Sequence, residues 1–132
     1  MPAQHTIDNK NNVITTTWSD TATDSELIDA LTRYHREIKS NPDYQAYNEI
    51  LDLREVGTIK LTTAGIQRIG EIAVKTDQVN VKTKLAIIVS SPLAYGLARM
   101  YEAYRNLAPN PNKEIQVFKE ISGAHDWIKM KT

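Results

Sequence analysis

Two hydroxyl pairs, Thr62-Thr63 and Ser90-Ser91, are the side chains whose type and spacing come closest to a site. Each pair follows a short apolar run, Ile50 to Leu53 in one case and Leu85 to Val89 in the other. Each also precedes residues that repeat with a helical period. Hydroxyls in that position cap helices, and the unpaired N–H groups of a helix start, with the positive end of its dipole, attract anions. If the two strands are neighbours, two helix starts and four hydroxyls converge on one sheet edge. Lys60 adds positive charge there, and Asp52 stands at a strand end as a carboxylate. Such an edge suits an anion or a polar headgroup. Capping at both helix starts explains the same hydroxyls more simply, and a carboxylate without a second acid is ordinarily a loop or cap acceptor.

Other chemistry is hard to build from this chain. His5, His35 and His125 are scattered and assemble no three- or four-ligand metal set. There is no cysteine, so thiolate nucleophiles, disulfides and cysteine zinc sites are excluded. No nucleophile elbow, P-loop or dinucleotide fingerprint occurs, and Gly65 and Gly70 fall within a helical pattern rather than a phosphate loop. The expectation is a protein that is not an enzyme and uses no cofactor and no metal. Lys+Arg and Asp+Glu both number 16, so no net field draws the chain to nucleic acid. The longest apolar runs reach about five residues, against the roughly 20 of a membrane span. The first residues show neither a basic nor an apolar targeting segment, so a cytoplasmic protein is expected.

The elements that must position these residues are legible in order. A chain of 132 residues, 41% hydrophobic and 24% charged, fits one domain over 1–132 with a core of its own. His5 to Ile7 and Val13 to Trp18 flank the turn-rich Asp8–Asn12 and predict a hairpin. Thr23-Asp24-Ser25-Glu26 is a capping box, followed by the stripe Leu27, Leu31, Tyr34, Ile38 and the stop Asn41-Pro42. Ile50 to Leu53 then reads as a buried strand and the residues up to Leu61 as a polar loop. A helix from Ala64 to about Lys75 follows, with Gly70 on its inner arc for close approach to the sheet. Lys84 to Val89 is a central strand, apolar on both faces from Leu85 on. Ser91-Pro92 starts a third helix with Leu93, Leu97, Met100, Tyr101, Tyr104 and Leu107 on a wide apolar arc, stopping before Pro109-Asn110-Pro111. Glu114 to Lys119 is the last strand, and Ser122 caps a terminal helix carrying Trp127 and Ile128. The order β-β-α-β-α-β-α-β-α predicts an α/β domain with a mixed, mostly parallel sheet. Its core should hold Leu51, Leu53, Ile66, Ile69, Ile87, Val89, Leu97 and Met100.

The hairpin, the Ile50-Leu51-Asp52-Leu53 strand, the Thr62-Thr63-Ala64-Gly65-Ile66 turn into a helix, and the close from Val117-Phe118 to Trp127-Ile128 together resemble the SpoIIAA-like (STAS, or STAS/SEC14-like) bacterial proteins. The resemblance runs over essentially the whole chain and implies the SpoIIAA-like fold. It also implies a regulatory or binding module acting through protein–protein contacts, including self-association. As an alternative it implies a carrier of a small amphiphile or lipid, which an apolar pocket would favour over a closed core. In the antagonist members of that group a phosphorylated serine sits in an Asp-Ser-Ser-Gly turn. Here the matching position is Ala64, which has no hydroxyl, with Thr63 beside it. On the third helix, Tyr95 shares the polar face with Arg99 and Glu102, a composition common at interfaces and thus a candidate contact surface.

Overall fold

The computed structural model describes residues 3–76, 81–107 and 112–130. Strands β1 (Ala3–Asp8) and β2 (Val13–Thr23) form the expected hairpin. Asn12, at φ 58°, takes the left-handed conformation at its turn, which asparagine tolerates. Then come α1 (Asp24–Tyr34), β3 (Asn48–Lys60), α2 (Thr63–Thr76), β4 (Thr83–Ile88), α3 (Pro92–Asn106), β5 (Lys113–Phe118) and α4 (Ile121–Lys129). A π-helical turn, His35–Lys39, prolongs α1. The five strands lie in sequence order, β1 antiparallel to β2 and each later neighbour parallel.

Sequential order means that every crossover steps the same way across the sheet. Right-handed crossovers then lay α1, α2 and α3 side by side on one face, and α1 meets α2 as α2 meets α3. The helix after the last strand, α4, packs against β4 and β5. Two apolar layers result. Val13, Ile50, Ala86 and Ile88 meet Ala124 and Ile128 of α4, while Ile87, Val89, Ile115 and Val117 meet Ala94 and Ala98 of α3.

Four expectations need correction. Residues 54–60 are strand, not loop. The pairing of β2 with β3 shifts register between Thr17 and Ser19 and again between Asp20 and Thr21, each time with one extra residue in β3. Bulges of that kind turn a two-residue side-chain period into three. Leu53, Val56 and Ile59 therefore stay on one face at a spacing that no strand pattern predicts. Second, α3 docks through Ala94, Ala98, Tyr101 and Arg105, so Leu93 and Met100 are left 58% and 39% exposed and Leu107 is exposed as well. Small alanines let the helix approach the sheet, and the larger residues of the arc fall to its sides and back. Third, Gly70 makes its close approach to α3 rather than the sheet: a Cβ there would meet Tyr104 Cδ1 at 2.5 Å. Fourth, Ser122 lies inside α4, whose N-cap is Glu120 without a side-chain hydrogen bond. The stop at Pro109-Asn110-Pro111 falls outside the described residues.

The remaining glycines of the helices test this packing. A Cβ at Gly96, on the exposed side of α3, would touch nothing within 4 Å. We expect Gly96→Ala to raise the unfolding free energy by about 0.5–1 kcal/mol in chemical denaturation. A Cβ at Gly65 would stand 2.0 Å from Asp24 Oδ1. Gly65→Ala should therefore cost about 1–3 kcal/mol despite alanine's better helix propensity; a neutral or stabilising result would show that α1 and α2 do not meet as described.

Candidate functional site: an apolar cavity with a charged end

An apolar cavity of about 170 Å³ lies between the sheet and the layer α1–α3. Trp18, Leu51, Leu53 and Ile87 form its sheet side, and Leu31, Ile69, Ala73 and Leu97 its helix side. Its origin is local. The helices contribute Ala30, Ala73, Ala94 and Ala98 to the wall, and side chains this short do not fill the space beneath them. Val56 and Ile59, kept on this face by the bulges of β3, extend the wall along the sheet.

One end of the cavity is polar. Tyr34, His35, Glu49, Arg105 and Lys113 all line it. Glu49 lies on β3, on the same face as Leu51 and Leu53, and is buried. Lys113 of β5 forms a salt bridge with its Oε1. Burial alone would raise the Glu49 pKa; the nearby Lys113 and Lys39 more than reverse this and hold it at about 2. The carboxylate is thus ionised at neutral pH and a poor base. His35 is pushed down to about 4, first by burial and then by Lys113, with Glu49 acting in the opposite sense, so its ring is neutral. Its Nε2 lies 2.9 Å from Thr76 Oγ1. Tyr34 is 8% exposed, and its hydroxyl is shut away from solvent beside the Glu49 carboxylate. Burial first, then the adjacent Glu49 carboxylate, raises its pKa, so it remains an O–H donor. The His5 ring lies against Tyr34, centroids 5.1 Å apart and inclined by 38°, and its Nδ1 is 2.7 Å from Thr16 Oγ1. These groups hold fixed charge and directed hydrogen bonds, and their pKa values keep them away from proton shuttling near pH 7.

Two buried lysines nearby serve structure. Lys39 Nζ donates to the carbonyls of Tyr44, Gln45 and Tyr47 at 3.0, 3.4 and 3.1 Å, turned inward by the π-helical turn that carries it. Lys84 Nζ donates to the carbonyls of Trp127 and Met130, closing the C-terminal end of α4 where a cation is favoured.

The hydroxyl pairs singled out from the sequence are not brought together. β3 and β4 are neighbours, and Asp52 lies opposite Ile88. Thr62, however, is ten residues beyond Asp52, whereas Ser91 is three beyond Ile88. The seven-residue difference is roughly 23 Å of extended chain. Thr62 instead meets the start of α1: its N–H and hydroxyl donate to the Asp24 carboxylate at 3.0 and 2.6 Å, and its hydroxyl accepts from Gly65 N–H at 2.9 Å. A carboxylate of the chain itself thus sits at the head of α2. Thr63 and Ala64 are exposed in its first turn. Ser91 caps α3, accepting from Ala94 N–H at 3.1 Å, and Ser90 Oγ lies 3.3 Å from the Arg54 carbonyl. Asp52 accepts from the Arg54 backbone N–H and, in bidentate fashion, from its Nε and Nη2 at 3.0 and 2.8 Å. Lys60 is exposed at the end of β3. On α3, Tyr95 packs against the core layer with Lys119 Nζ 4.7 Å from its ring centroid, and Arg99 Nε is 3.3 Å from Glu102 Oε1. Among the described residues no cluster of His, Asp or Glu could hold a metal ion, and no helix is long and apolar enough to cross a membrane. Sequence reasoning missed the charged end of the cavity. Its members are far apart in the chain, and the only local signal was His35 at the margin of an apolar stripe.

No protein-family model matches the chain, and no curated protein does. Among solved structures it is similar to an uncharacterized protein of the DUF3478 family with a SpoIIAA-like fold from Shewanella loihica PV-4. The two superpose with a TM-score of 0.58 over 96% of this chain and 91% of that one, at 13% sequence identity. The fold of this protein is SpoIIAA-like, as the resemblance implied.

The charged end makes the stability pH-dependent in a stated sense. His35 binds its proton less readily folded than unfolded, so its contribution is complete above about pH 6.5 and is lost as pH falls towards about 4. Lys113, Lys39 and Arg105 oppose its charging and Glu49 favours it. Glu49 follows, losing its contribution from about pH 4.5 down towards about 2. We expect unfolding free energy to drop by about 1–3 kcal/mol between pH 7 and pH 4.5, and His35→Gln to flatten the profile over that interval. An unchanged slope in the variant would place the acid sensitivity elsewhere.

Proposed function

We propose that this protein is a non-enzymatic binding module of SpoIIAA-like fold that takes one small, mainly apolar molecule into the cavity between its sheet and α1–α3. The cavity carries the reading. A closed core would have favoured the purely protein-binding alternative. Its volume also sets the ligand's size. A cavity of about 150 Å³ walled by aliphatic side chains stays dry and accepts benzene. The 170 Å³ available here fits about seven to ten non-hydrogen atoms. Pockets for drug-sized ligands run from about 300 Å³ upward, so the reading excludes a diacyl lipid and keeps the small-amphiphile form of the carrier.

A second reading, self-association through α3, is favoured by Leu93, Met100 and Leu107. They stand seven residues apart on one exposed side, the spacing by which two copies of a helix pair. Tyr95, Arg99 and Glu102, the contact surface expected from the sequence, lie on another side of α3, so the two contacts are distinct. Sedimentation of Leu93→Glu/Met100→Glu against wild type at about 50 µM separates them: a dimer lost in the variant supports the contact, and a monomeric wild type removes it.

The cavity reading is tested with toluene. By ligand-efficiency limits a molecule of this size should bind with a dissociation constant of about 0.1–1 mM, shifting the methyl resonances of Ile87 and Leu97. Ala73→Leu, which projects three more carbons into the cavity, should weaken binding at least about tenfold while the protein stays folded. No shift in wild type at saturating toluene, or undiminished binding in the variant, contradicts the reading.

A further inference from the structure

Three of the four large hydrophobic side chains left exposed among the described residues belong to one helix. They are Leu93, Met100 and Leu107 of α3, which are 58%, 39% and 84% exposed. Gly96 and Ala103 stand three residues after the first two, and both are exposed as well. Large and small side chains therefore alternate along one seam at spacings of three and four, the pattern of a helix that pairs with another. The seam runs along the side of α3 away from Ala98 and Arg105, which are buried and line the cavity. A Cβ at Gly96 would touch nothing within 4 Å, so the notch there is open.

A seam that carries both the large residues and the notches complements itself, as a two-fold dimer requires. Volume decides the direction of pairing. Parallel helices in register would set Gly96 against Gly96 and Ala103 against Ala103. The leucine and methionine layers would then hold the helices apart and leave voids, which forfeit dispersion contacts. Antiparallel helices set a large residue against a small one in each layer. Charge then decides between the two antiparallel registers that do so. One is centred on Ala98 and brings Arg99, the charged side chain nearest the seam, beside the partner's Arg99. The other is centred between Tyr101 and Glu102 and brings Arg99 beside the partner's Asn106, which carries no charge.

We infer that two copies of this chain pair through antiparallel α3 helices, Met100 seated on the partner's Ala103 and Leu107 on the partner's Gly96. The inference rests on the reading of α3 as a self-association surface and adds its geometry. One helix face is smaller than the roughly 1,600 Å² of a standard interface. The dimer is therefore reversible, with a dissociation constant of about 1–50 µM.

Gly96→Leu separates notch packing from mere stickiness. The new side chain enters open space on the monomer, so the variant should fold. It adds apolar surface, which would tighten an unspecific contact, but it fills the notch that receives Leu107. Sedimentation over about 5–200 µM should show dimerisation at least about tenfold weaker than in wild type. Orientation is read by cross-linking, since the chain has no cysteine of its own. A mixture of Leu107→Cys and Gly96→Cys, oxidised with copper phenanthroline, should give a mixed disulfide dimer, and Leu107→Cys alone should give none. A monomeric wild type over the whole range overturns the self-association reading and the inference with it. A wild-type dimer that Gly96→Leu leaves unchanged or tightens keeps the reading and overturns the notch packing. Leu107→Cys cross-linking to itself as readily as the mixture does overturns the antiparallel arrangement.

Discussion

A carboxylate with no water to solvate it sets the terms for one end of this molecule. Isolating an ionised acid from solvent is costly unless a counter-charge and hydrogen bonds accompany it. Glu49 sits at the start of β3, in the middle of the sheet, and is buried. Its compensation is assembled from distant parts of the chain: Lys113 at the start of β5 and, at longer range, Lys39 in the turn after α1. Because Lys39 also holds three carbonyls of the segment leading into β3, the carboxylate and that segment are fixed together. Tyr34 and His35, one turn earlier, are drawn to the same place and face the cavity.

The apolar remainder of the cavity follows from how the helices are laid down. A sheet whose strands run in sequence order takes all three crossover helices on one face. They pack to one another through small residues: Gly70 against Tyr104, and Gly65 against the Asp24 carboxylate that Thr62 holds at the head of α2. Ala94 and Ala98 of α3 meet the sheet, while Ala30 of α1 and Ala73 of α2 line the space left above it. Packed interiors rarely leave voids larger than a water molecule. A chamber of about 170 Å³ walled by Leu, Ile and Ala therefore stands out as a feature of the layer. On the opposite face Ala124 and Ile128 of α4 pack into an apolar cluster with Val13, Ile50, Ala86 and Ile88.

The order of elements along the chain, the mostly parallel pairing and most helix limits were legible because each rests on a local signal. Thr23 caps α1 by accepting from Glu26 N–H, as the spacing announces, its hydroxyl donating in turn to the Glu26 carboxylate, and Ser91-Pro92 starts α3 as expected. What was not legible depends on register or on long-range meetings. The far half of β3 hid because two bulges changed its period. The docking face of α3 hid because Ala94 and Ala98 carry little weight beside Leu93 and Met100, although the short side chains are the ones that let a helix come close. The convergence of Thr62-Thr63 with Ser90-Ser91 assumed that both strands end level, and β3 runs on for eight residues past Asp52. The charged end of the cavity unites residues 34, 49, 105 and 113, which no spacing rule connects.

The central claim is that the space under α1–α3 is a dry, accessible apolar chamber. Xenon reports this without depending on any ligand's chemistry, since it enters apolar cavities of this size and has no affinity for polar surface. Crystals pressurised with xenon should show one strong site bounded by Leu51, Ile87, Ala73 and Leu97. The absence of xenon there, or ordered water filling the same volume, would contradict the account.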